Sequence, residues 1–121
     1  MITVLVVDDV PDVTALLKRK LEATGRFRVV SANSGAEALR VAAEARPAVV
    51  VCDIDMPGMD GGTVAAELGE REGTRGTPVI FLSTLVTPED AGSDAGRRPV
   101  VSKQSPVDEL VRTIDQVLAA E

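Results

Sequence analysis

Three aspartates crowd the stretch CDIDMPGMDGG, residues 52 to 62, directly after a run of valines. Asp53 and Asp55 stand where an apolar strand would give way to a loop, and either carboxylate has the chemistry of a nucleophile. Asp-x-Asp after a strand points to a phosphohydrolase, whereas Asp-x-x-Met-Pro points elsewhere, and this stretch alone leaves both open. Two further acids, Asp8 and Asp9, follow the apolar run ITVLVV, Ser83 follows VIFL and Lys103 follows PVVS. Clustered carboxylates repel one another unless a cation joins them, and hard oxygen ligands on a small site suit Mg2+, which takes few protein ligands and keeps several waters. Taken singly, each acid reads as a helix cap or a surface loop residue, Asp9 above all, since it stands just ahead of Pro11. Separate caps do not account for an acid pair, an acid, a hydroxyl and an amine at the same end of successive strands.

The elements that must position these groups alternate along the chain. Ile2 to Val7, Ala48 to Cys52 and Val79 to Leu82 are short, continuous apolar runs rich in β-branched residues, and Phe27 to Val30 and Val100 to Val101 are shorter versions. They read as strands buried on both faces. Between them the period becomes helical: Val13, Leu16, Leu17 and Leu21, then Ala38, Leu39, Ala42 and Ala43. The cleanest stripe is the last, with Val107, Leu110, Val111, Ile114, Val117 and Leu118 on one side. Ser34 with Glu37 forms a candidate capping box, Gly25 suits the close of the first helix, and Ser105 before Pro106 and Asp108 suits an N-cap. About five strand–helix units in so short a chain favour an open, mostly parallel doubly wound α/β sheet over a closed eight-unit barrel. In such sheets ligands bind at the carboxyl ends of the strands, where the acids, Ser83 and Lys103 fall.

Composition narrows the classes. A chain of 121 residues with 45% hydrophobic and 26% charged residues is of the size and make-up of one soluble domain. No apolar run approaches the roughly 20 residues of a bilayer span, and the N-terminus lacks the basic start and cleavage site of a secretory signal, so the expected location is the cytoplasm. A net charge of −6 opposes direct binding to nucleic acid. Cys52 is the lone cysteine and there is no histidine, which removes an internal disulfide and the usual nitrogen ligands of zinc; Cys52 reads as a buried strand residue.

The motifs VLVVDDVPDV, NSGAEAL, VVVCDIDMPGMDGG, PVIFLS and VVSK, in this order and spacing, resemble the receiver domains of bacterial two-component response regulators over essentially the whole chain, residues 1–121. The resemblance implies a flavodoxin-like five-stranded parallel sheet in the order 2-1-3-4-5. It also implies that Asp53, before x-x-Met-Pro, accepts a phosphoryl group from a sensor histidine kinase or a histidine phosphotransfer protein. Asp8 and Asp9 would then hold Mg2+ with Asp53 and the backbone carbonyl of Asp55, Ser83 would sense the phosphoryl group, and Lys103 would contact one of its oxygens. Such a domain is a signalling phosphoacceptor, with only self-phosphotransfer and slow autodephosphorylation as its chemistry, and it acts on an output partner.

Four departures stand out. Lys103 is followed by Gln104 where the family usually has proline, which favours a trans peptide. Val100 occupies the usual aromatic switch position. Residues 87 to 98, where a fourth helix is expected, contain two glycines and few large apolar residues. Gly61 and Gly62 weaken the start of the third helix. Two rivals remain beside the receiver reading. A haloacid-dehalogenase-like phosphatase would use Asp53 and Asp55, but its motif belongs near the N-terminus and a further acidic pair after its lysine. A receiver-like module that no longer accepts phosphate would lack an acid or the lysine, and none is missing.

Overall fold

The structure, a computed structural model, describes residues 1–85, 92–93 and 98–120. Six strands form one sheet: β1 (Ile2–Val7), β2 (Phe27–Ala32), β3 (Val49–Asp53), β4 (Val79–Ser83), β5 (Gly92–Ser93) and β6 (Pro99–Ser102). Four helices are present among the described residues, α1 (Pro11–Glu22), α2 (Gly35–Ala45), α3 (Gly61–Glu70) and α4 (Val107–Ala119). The order across the sheet is β2-β1-β3-β4-β6-β5, and every pairing is parallel except that of β5 with β6. The five parallel strands follow the expected 2-1-3-4-5 arrangement, and β5 adds a two-residue antiparallel edge. That edge falls inside the stretch 87 to 98 where a helix was expected; residues 86–91 and 94–97 lie outside the described residues.

Continuous apolar runs become central strands because both faces of the sheet are covered. Successive residues of β1 alternate between two cores. Leu5 and Val7 pack with Ala38, Leu39, Val64 and Leu68 of α2 and α3, whereas Val4 and Val6 pack with Leu21, Leu110 and Ile114 of α1 and α4. Phe27 and Phe81 are buried core residues, one in each cluster, as their strand positions predict. The helix stripes need two corrections. In α1 the buried positions are Thr14 and Leu21, while Leu16 is 40% exposed. In α2 Ala43 faces solvent, and Gly35, Ala38, Leu39 and Ala42 form the packed face. Small residues there let the helix lie close to the sheet.

Caps set where the helices begin. Ser34 Oγ accepts from Glu37 N–H at 3.1 Å, and Glu37 Oε1 reaches back one residue further than a standard capping box, to Asn33 N–H at 2.6 Å. Gly25, at φ 78°, turns the chain after α1. The N-cap of α4 is Pro106, so Ser105 does not cap the helix; its hydroxyl is buried without a hydrogen-bond partner, and its N–H donates to Ser102 O at 3.0 Å instead.

Candidate functional site

Asp8 follows β1 and is fully buried, because the acid stands at the end of a strand covered on both sides. Its Oδ1 accepts from Val10 N–H at 3.0 Å, closing a tight turn into α1. Its Oδ2 accepts from Lys103 Nζ at 2.5 Å. Asp9, half-buried, lies inside that turn. Asp53 ends β3 and is 4% exposed; its Oδ1 lies 3.3 Å from Lys103 Nζ and accepts from Asp55 N–H at 3.3 Å. Lys103 is carried past β6 to these two acids, and its N–H donates to Ser83 O at 3.0 Å. The Lys103–Gln104 peptide is trans, as a non-proline residue there favours.

Carboxylate oxygens of Asp8, Asp9 and Asp53 lie within 4.8 Å of one another. An all-oxygen donor set of three acids, partly open at Asp9, fits a hard divalent cation such as Mg2+. Asp55 is exposed and its carboxylate stands outside that cluster, so only its backbone carbonyl is a candidate ligand. Ser83 is buried at the end of β4, its Oγ accepting from Leu85 N–H at 3.1 Å, and the register sets Ser83 opposite Ser102 and Leu82 opposite Asp53.

The electrostatics follow from burial of like charges around one amine. Burial pushes the Asp53 carboxyl up, and the Asp8 charge adds to it, while Lys103 and the Asp55 N–H oppose the rise. Burial alone would lower the Lys103 ammonium; the hydrogen bond and charge of Asp8, joined by Asp53, outweigh it and the net shift is upward. Burial, with the charges of Asp53 and Asp8 behind it, pushes the Cys52 thiol up to about 12, which keeps it a neutral core group.

Residues 4–115 match the response regulator receiver domain family. The chain belongs to that family. Among its relatives is the Transcriptional regulatory protein PrrA of Mycobacterium tuberculosis, 43% identical over 117 residues that cover 95% of this chain and 49% of PrrA. The receiver thus spans about half the length of that relative. Protein PilH of Pseudomonas aeruginosa is 36% identical over 98% of this chain and 99% of its own length. The chemotaxis protein CheY4 of Vibrio cholerae has the same fold, with a TM-score of 0.84 and 29% identity over 97% of this receiver and 98% of its own chain. The name of PrrA contrasts with the expectation that nucleic acid is no direct partner, an expectation that concerned only the charge of these 121 residues. Among the described residues no helix is long and apolar enough to cross a membrane.

The sequence pattern assigns no site role to three residues that shape the receiver's site. Asn33 Nδ2 donates to the backbone carbonyl of Asp8 at 2.8 Å and to Thr14 Oγ1 at 3.0 Å. Gly61, treated in the sequence as a weak helix start, packs so closely that a Cβ there would stand 2.5 Å from Asp53 O and 2.9 Å from Ile54 Cα. Asn33 stands just past a strand end, but its contacts, like those of Thr14 and Gly61, are set by packing that the local sequence does not encode.

Proposed function

We propose that this receiver takes a phosphoryl group from a phosphohistidine, on a histidine kinase or a histidine phosphotransfer protein, onto Asp53. The observation that carries the reading is a buried aspartate at a strand end with a lysine ammonium 3.3 Å from its Oδ1 and two further acids beside it. An Asp53 oxygen attacks phosphorus, the P–N bond breaks, and the imidazole leaves with its electron pair and takes up a proton. Lys103 offsets charge on a transferring oxygen, and Ser83 is the hydroxyl that turns toward the phosphoryl group. Asp8, Asp9, Asp53 and the carbonyl of Asp55 would hold Mg2+, which when bound neutralises charge on the phosphoryl oxygens. The exposed Asp55 side chain is suited to steer the water that later hydrolyses the acyl phosphate.

Phosphorylation adds about −1.5 to −2 charges at the Asp53 end of the sheet and biases the receiver between states that differ by a few kcal/mol. Val100 stands in place of an aromatic and offers no ring to rotate, and residues 84 to 98, through which the switch is expected to be read, lie largely outside the described residues. Residues 1–121 act as one receiver unit in the cytoplasm, and their net charge of −6 supports leaving any nucleic-acid contact to the output that the switch controls. Acetyl phosphate with Mg2+ should add one phosphoryl group to the protein by intact mass. Asp53→Asn should lose that gain and Asp55→Asn should keep it; label retained in Asp53→Asn would overturn the assignment.

A further inference from the structure

The turn between β1 and α1 carries the acidic pair, and a residue from another corner of the sheet holds it. Asn33 stands one residue beyond β2. Both N–H bonds of its carboxamide are used, one to the Asp8 carbonyl at 2.8 Å and one to Thr14 Oγ1 at 3.0 Å. Asn33 is itself anchored, its backbone N–H donating to Glu37 Oε1 while Ser34 beside it caps α2. The buried Thr14 donates in turn to Pro11 O at 3.0 Å. The carboxamide therefore ties the end of β1 and the first turn of α1 to the corner between β2 and α2. Asp9 lies inside the segment so held, between Asp8 and the Val10 N–H that closes on Asp8 Oδ1.

We propose that Asn33 is a positioning residue of the divalent site and that its carboxamide sets the preference for Mg2+ over Ca2+. This rests on reading Asp8, Asp9 and Asp53 as the groups that hold the divalent ion. Mg2+ demands a near-ideal octahedron with ligands at about 2.0–2.1 Å, whereas Ca2+ accepts six to eight oxygens at about 2.3–2.6 Å in a flexible arrangement. A turn free to drift by a few tenths of an ångström still serves Ca2+ and fails Mg2+. A change in net charge moves both ions together and leaves their ratio nearly alone. Asn33 and alanine are both uncharged, so the ratio isolates position.

The test titrates the metal-free protein with MgCl2 and with CaCl2, followed by amide NMR because the chain has no Trp or Tyr. In Asn33→Ala the Mg2+ affinity should fall roughly tenfold, the scale typical of lost outer contacts to metal ligands, with the Ca2+ affinity nearly unchanged. Thr14→Val, which removes one of the two acceptors, should shift the ratio the same way by less, and it carries the test if Asn33→Ala does not fold. Parental Mg2+ binding at Asp8, Asp9 and Asp53 with an unchanged ratio in the variants overturns the inference alone. No saturable Mg2+ binding in the parent overturns the reading of the site and the inference with it.

Discussion

Asp53 keeps a proton longer in the folded chain than in the unfolded one, because burial and then the Asp8 charge raise its carboxyl against the pull of Lys103. From the ordinary carboxylate range up to the raised folded value the native state binds more protons, so stability falls as pH rises through that window and is greatest below it. Removing the charge should therefore help the metal-free fold: Asp53→Asn is expected to raise the thermal midpoint by a few degrees at neutral pH, with the gain disappearing in acid below the window. Melting curves at the two pH values check this, and a lowered midpoint at neutral pH would mean that the ion pair with Lys103 outweighs burial. Lys103 works on the alkaline side. Its raised ammonium contributes stability that is whole below its unfolded pKa and is lost as pH climbs through the folded value. Asp8, Asp9, Asp53 and Lys103 were legible because each terminates or follows an apolar run, and a strand end is a position that one-dimensional pattern reports. Asn33 was not, since its partner Asp8 lies 25 positions away and only the pairing of β1 with β2 brings the two together.

At the scale of elements, the five parallel strands were read to within two residues at each end, β5 was not read, and the helices fared less well, for a physical reason. A strand buried on both faces needs every side chain apolar, which leaves an unbroken run, whereas a helix at the surface buries a stripe that tolerates substitution. Thr14 takes a buried place in α1 that an apolar period would have given to Leu16. One glycine does more than its sequence suggests. Gly61 begins α3 under the N-cap Asp60, whose Oδ1 accepts from Thr63 N–H at 2.8 Å, and its N–H donates to Ile54 O at 2.9 Å. The atoms a Cβ would strike are backbone, which cannot swing aside. Gly61→Ala is accordingly expected to cost about 1–3 kcal/mol in urea unfolding and to reduce acyl-phosphate labelling of Asp53, whose carbonyl it displaces. Gly62 is the control: the nearest atom to its Cβ would be Asp60 Oδ1 at 3.6 Å, and Gly62→Ala should gain roughly 0.5–1 kcal/mol from the helical preference of alanine. Equal losses in the two variants would remove the claim that close approach, and not helix propensity, explains Gly61.

Across the whole molecule the sheet is sewn unevenly. Six residue pairs join β1 to β2, four join β1 to β3 and four join β3 to β4, but among the described residues only three join β4 to β6. Lys103 rides just past that seam, the shortest of the parallel ones, and α4 follows it. We expect β6 with α4 to open as a unit, below the free energy of global unfolding. Amide hydrogen exchange should find β6 and α4 less protected than β1 and β3, and uniform protection across all four would refute a separate unit. Each opening would withdraw the amine while leaving the three carboxylates in place. A phosphoryl group gripping Lys103 would close the same seam, so occupancy of Asp53 would be transmitted outward as slower exchange along one edge of the sheet, a signal carried by stiffness with no new shape required.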